Sequence, residues 1–198
     1  IRFEGDGYSD EWKEEAMRRG LTNISHVPEA IMRFNDSQSR EVLIGENIFN
    51  ENELICRIEV ELEKFTKKVQ IESRVLGDLA INHIVPTAVI YQNRLLENLR
   101  GLRETFSQVE YEMLGADRRE LVKEIQFRIL EIKQLVREMT EARRISNRLT
   151  SQVEKAYSYE EKVRPYMEQI REHIDHLELE IDDEIWPLPK YRELLFTK

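Results

Sequence analysis

From Leu54 onward, apolar residues return at spacings of three, four or seven. Leu54, Ile58, Leu62, Phe65, Val69, Leu76 and Leu79 form one such row, and it persists to Ile84. An α-helix, with its 3.6 residues per turn, lines these positions up on one face. A row of this length predicts a rod about 50 Å long at 1.5 Å per residue. A second row follows, with Ala88, Leu95, Leu99, Leu102 and Phe106. A third carries Leu121, Ile125, Ile129, Ile132, Val136 and Met139, and resumes at Leu149 and Val153. A fourth runs through Val163, Met167, Ile170, Ile174, Leu177 and Ile181. Chain breakers are scarce, with seven Gly and five Pro in 198 residues, and each would cost a helix interior roughly 1–3 kcal/mol. The fold class expected is therefore all-α. Long amphipathic helices with short connections pack as an up-down bundle, over residues 51–198 with a short C-terminal tail. An N-terminal arm of short helices covers residues 1–50.

Local signals place the ends. Ser9 or Asp10 caps a short helix that stops at Gly20, supported by Glu14–Arg18 and Glu15–Arg19 pairs. Pro28 opens a second short helix carrying Ala30, Ile31 and Phe34. Residues 35–39 read as a polar loop, and Gly45 closes a third helix. Asn50 with Glu53 forms a capping box for the first long rod. Pro86 ends or kinks that rod and pushes Val85 out of the α region. Gly101 falls inside the second row, and Gly115-Ala116-Asp117 reads as a capped turn. Ser158 with Glu161 suggests another capping box. Trp186-Pro-Leu-Pro189 stops the last long helix, and a terminal turn follows over residues 191–196.

Charge narrows the function classes. There are 39 acidic and 30 basic residues, net −9, and a phosphate backbone or anionic membrane recruits the opposite balance. Neither nucleic acid nor membrane is an expected partner. No stretch approaches the roughly 18 apolar residues of a membrane span, and no signal-peptide pattern opens the chain. The single cysteine, Cys56, excludes an intramolecular disulfide framework and fits a reducing cytoplasm. Beside an apolar row, it is expected to be a small buried hydrophobe. The chain opens on Ile1 rather than Met, and residues 1–8 read as the interior of a longer polypeptide.

The polar residues within the rows are the remaining candidates. Glu72 and His83 fall on the first row, Arg74, Asp78 and Asn82 share one flank, and Gln92 and Asn93 follow the proline. A buried polar group costs about 1–3 kcal/mol unpaired. These residues therefore form either a network that fixes helix register or a docking surface. Arg143 and Ser146 interrupt the third row, at a bundle end or a contact with another chain. His173 and His176 are spaced to share a metal, yet no third ligand stands at a recognisable spacing. The alternative is one core-flanking and one exposed histidine. Residues 178–184 form an acidic run near a helix C-terminus, where the dipole disfavours it and a basic partner would suit it. Glu63–Lys67, Glu124–Arg128 and Glu160–Arg164 read as solvated pairs worth about 0.2–0.5 kcal/mol each. Gly5-Asp-Gly7 is too short for a phosphate loop, and no phosphate-loop, nucleophile-elbow or His-Glu-x-x-His motif occurs. No catalytic, cofactor-binding or metal-ligating residue is assigned. A structural domain of a larger enzyme, a free-standing helical interaction module and a metal-binding bundle all stay open.

Three segments carry a resemblance. They are Phe3-Glu-Gly-Asp-Gly-Tyr-Ser-Asp-Glu-Trp12, then Ile71-Glu-Ser-Arg-Val-Leu-Gly-Asp-Leu-Ala80 with Pro86-Thr-Ala and Tyr91-Gln-Asn93, and finally Asp182-Asp-Glu-Ile-Trp-Pro-Leu-Pro-Lys-Tyr-Arg-Glu-Leu-Leu-Phe196. Together they resemble the C-terminal region of type III glutamine synthetases, end to end. The resemblance implies a cytoplasmic parent enzyme that joins glutamate and ammonia through γ-glutamyl phosphate. ATP and magnesium or manganese would serve the parent, with no cofactor held by this segment. The implied partners are its own catalytic domain, linked by the arm, and neighbouring subunits of a double-ringed homo-dodecamer. The family's catalytic residues belong to a barrel preceding this segment, so none carries over.

Overall fold

The computed structural model describes residues 4–195, and no strand occurs among them. Phe3 of the first motif and Phe196 of the last lie outside the described residues. Helix α1 (Asp10–Arg18) starts at Ser9, whose hydroxyl accepts from Trp12 N. It stops at Gly20, which takes φ +70°. Leu21 N donates to Ala16 O and Gly20 N to Met17 O, the paired bonds of a Schellman stop. Arg18 and Arg19 both reach Glu15, so Glu14 does not form the expected pair.

Helices α2 (Val27–Met32) and α3 (Ser37–Gly45) come next, joined by a single 3-10 turn. The expected polar loop is thus helical from Ser37. The left-handed residue after α3 is Asn47 at φ 55°, not Gly45. Ile31, Met32, Leu43, Ile44 and Phe49 pack on Leu54, Ile58, Leu62 and Ala156 as a second apolar cluster. Phe34 remains exposed. Residues 27–49 therefore cover the first half of α4 (Glu51–Leu79).

Helix α4 starts with the capping box of Asn50 and Glu53 and does not end near Pro86. One wide π turn (Ala80–Ile84) carries it into α5 (Val85–Thr105). Val85 stays α-helical at φ −58° and ψ −46°. A proline ring clashes with the carbonyl four residues back, and an i→i+5 turn makes room for it. The rod from 51 to 105 is thus about 80 Å long, well beyond the 50 Å expected.

Helix α6 (Gln108–Leu114), which no apolar row announces, is opened by a capping box of Ser107 and Glu110. Gly115 then leads directly into α7 (Ala116–Ser146) without a side-chain cap. A Cβ at Gly115 would sit 3.0 Å from both Leu99 Cδ2 and Tyr111 O, so a side chain there would crowd the corner where α6 and α7 close on α5. Helix α7 ends at Ser146, so Leu149 and Val153 lie beyond it rather than on its row. Ser151 caps α8 (Gln152–Ser158). A second π turn (Tyr159–Val163) then leads into α9 (Arg164–Glu180), whose proline is Pro165. Ser158 is no cap: it is buried within this rod, bonded at 2.8 Å to Ser146.

The main core joins the three rods through Ile84, Ala88, Ile125, Ile132, Met139, Tyr159, Val163, Ile170 and Leu177. Ile181 and Trp186 close its end. Helix α9 stops at Glu180, before the buried Trp186, and α10 (Tyr191–Leu195) completes the described chain. No helix among the described residues is long and apolar enough to cross a membrane.

Candidate functional site

The polar candidates of the first rod do not line its core. Glu72 and His83 are exposed, and the buried positions at those turns are Ser73 and Ala80. Asn82 donates to Asp78 at 2.6 Å on the surface. Gln92 bridges rods, donating to Val122 O at 3.1 Å. Cys56 is exposed, contrary to the expectation of burial.

The interruption of the third row lies at the C-terminal end of α7. Ser146 donates to Ala142 O and also bonds the Ser158 hydroxyl, and Asn147 accepts from Tyr159 at 2.8 Å and from Gln70 at 3.2 Å. Burial raises the Tyr159 hydroxyl above its ordinary pKa. Burial, with the nearby Arg74 guanidinium, lowers that of Arg143. This satisfied network fixes how α4, α7 and α8 meet.

Glu160 is not a solvated charge. Its side chain is 4% exposed, held by Arg164 at 2.9 Å and by His26 at 3.0 Å. It ties the start of the α2 segment to the bundle. His173 lies partly buried, 3.3 Å from Arg128 and edge-on to Phe127. Burial first, then the Arg128 cation, lowers its pKa from 6.5. A guanidinium against the ring nitrogen opposes a metal cation there. His176 is exposed. Among the described residues no group of three His, Cys, Asp or Glu is placed to hold a metal ion. The acidic run meets cations of its own chain: Arg94 reaches Asp182 at 3.2 Å, and Lys190 reaches Asp183 and Glu178 O.

An outward surface lies along the edge of the main apolar rows. Ile71 and Val75 on α4 are 62% and 51% exposed. With Leu76, Leu79 and Met167 they line an open groove between α4 and α9, bordered by Arg164, Glu168 and Arg171. A second groove continues it past Glu72 to Phe65 and Val27. The sequence signal for it is the i,i+4 pair Ile71 and Val75, which stands beside the main stripe.

The glutamine synthetase C-terminal domain family matches this chain over residues 1–103. A glutamine synthetase of Bacteroides fragilis (strain YCH46) is 73% identical over 198 residues, covering 100% of this chain and 27% of that protein. A type-3 glutamine synthetase of Dictyostelium discoideum is 30% identical over 204 aligned residues, with the same coverages of 100% and 27%. A glutamine synthetase of Butyrivibrio fibrisolvens is 30% identical over 99 residues, 50% of this chain and 14% of that protein. The chain spans about a quarter of the length of the first two relatives. With one family matched across more than half its residues and the likeness to two of the relatives running end to end, this chain belongs to the glutamine synthetase C-terminal domain family.

Proposed function

We propose that this chain is the non-catalytic helical domain of a type-3 glutamine synthetase and contributes contacts within the assembled enzyme. The parent joins glutamate and ammonia at the expense of ATP, with magnesium or manganese on the phosphates, in the cytoplasm. Its catalytic residues lie in the roughly three-quarters of the polypeptide that the relatives carry beyond this segment. Residues 1–50 act as the arm between that catalytic part and the bundle of residues 51–198. The assembled form is a homo-oligomer, a dodecamer by family resemblance.

The observation that carries the contact role is the exposed pair Ile71 and Val75, with the half-buried Leu79 beside them, in the groove against α9. Fully burying an aliphatic side chain gains about 1.5–3 kcal/mol, so leaving this pair in water is costly unless something covers it. The covering surface is the catalytic part of the same polypeptide, within one subunit or from its neighbour. Hydrogen exchange over residues 68–82 tests this in the chain alone and in the parent enzyme. Slower exchange in the parent is expected, and Ile71→Glu/Val75→Glu abolishes the difference. Equal exchange in both would remove the contact role.

A further inference from the structure

Where α5, α6 and α7 meet, an open pocket of about 420 Å³ carries four cationic side chains, Arg100, Arg103, Arg119 and Lys123, and no carboxylate in its lining. This is an exception on a chain with net charge −9. Its apolar lining is Leu96, Leu99 and Val122, beside Tyr111. Two of the cations are engaged. Arg119 donates to Tyr111 O and Glu112 O, and its guanidinium stands 5.1 Å from the Tyr111 ring centroid. Lys123 pairs with Glu120 at 2.8 Å. Arg100 and Arg103 make no hydrogen bond or ion pair among the described residues. Glu97 and Glu104, close by on the same helix, pair with neither. Gly115 holds this corner tight, because any Cβ there would press on Leu99 at 3.0 Å.

Two free guanidinium forks at one concavity suit an oxyanion, which each binds through paired N–H donors. A phosphate brings more charge and one more oxygen than a carboxylate. The volume lies within the range of small-molecule sites, which combine apolar walls with a few placed polar groups. We propose that this pocket binds an organic phosphate. Its phosphate is taken by Arg100 and Arg103, and its apolar body rests on Leu96, Leu99 and Val122. The inference is independent of the contact role assigned to α4.

Calorimetry on the chain at low salt, with phenyl phosphate, benzoate and inorganic phosphate, tests it. Phenyl phosphate is expected to saturate one site, at least about tenfold tighter than either other probe. Arg100→Gln/Arg103→Gln weakens it by about tenfold or more, while Arg137→Gln/Arg148→Gln, equal in net charge, leaves it unchanged. The arginines replaced are all exposed, and an unchanged thermal midpoint verifies the fold. Absence of saturable binding, benzoate or phosphate binding as tightly, or an equal loss in the charge-matched control would each overturn the proposal.

Discussion

Gly115 and Gly101 lie at the two ends of what a missing side chain can mean in this protein. A Cβ at Gly115 meets a backbone oxygen and a leucine methyl at 3.0 Å, whereas one at Gly101 meets nothing within 4 Å. Gly115→Ala is expected to destabilise the chain by about 1–3 kcal/mol through overpacking. Gly101→Ala is expected to stabilise it by about 0.5–1 kcal/mol through helix propensity. Urea midpoints of the two variants, moving in opposite directions, check both. His173 gives a pH effect of definite sign. Its folded pKa lies below 6.5, so below about pH 6.5 the unfolded chain takes the proton first and folding loses stability. The fall in urea midpoint between about pH 7.5 and about pH 5.5 is expected to be smaller in His173→Gln; an equal fall would sink this assignment. Among single residues the caps Ser9 and Asn50 were legible, because each acts on an amide three residues on, whereas the expected cap Ser158 is buried within a rod. The buried face at residues 73–80 was not legible. Ser73 and Ala80 are wholly buried, and Gly77 lies near Met139 and Val136. Small residues let two helices approach closely, and a count of large apolar residues passes over them.

Among the helices, two prolines are absorbed in the same way. Pro86 follows the π turn Ala80–Ile84, and Pro165 follows the π turn Tyr159–Val163. Each π turn ends two residues before its proline, and each buries its first and last residues, Ala80 and Ile84 in one and Tyr159 and Val163 in the other. A proline inside a regular helix costs about 3 kcal/mol, but the widened turn has already removed the clash. Pro86→Ala is therefore expected to raise stability by less than about 1 kcal/mol. A gain near 3 kcal/mol in the urea midpoint series would mean that the turn relieves nothing. The rows predicted helices α4, α5, α7 and α9 because periodicity survives any tertiary context. They failed near the first junction: a π turn adds one residue and shifts the stripe, so His83 was placed inward, while Glu72, before that turn, was placed inward because the small Ser73 beside it holds the buried position. Helix α6 has no row because Val109 and Met113 are exposed; only its capping box, Ser107 with Glu110, could have announced it.

Across the whole protein, three rods bury one continuous core, and the segment 27–49 adds a smaller one on α4. Glu160 joins the two through His26 and Arg164. The bundle was legible from composition and periodicity, whereas the groove along α4 and the basic pocket were not. Both depend on which helices stand side by side, a property of packing that no single row contains. The proposed function rests on chemistry being done elsewhere in the parent polypeptide, with this domain supplying surface. Glutamine formation by the purified chain is the decisive assay, given glutamate, ammonia, ATP and magnesium under conditions where the parent enzyme turns over. No product above a protein-free blank is expected; glutamine rising in proportion to the amount of pure chain would place the chemistry in this domain after all.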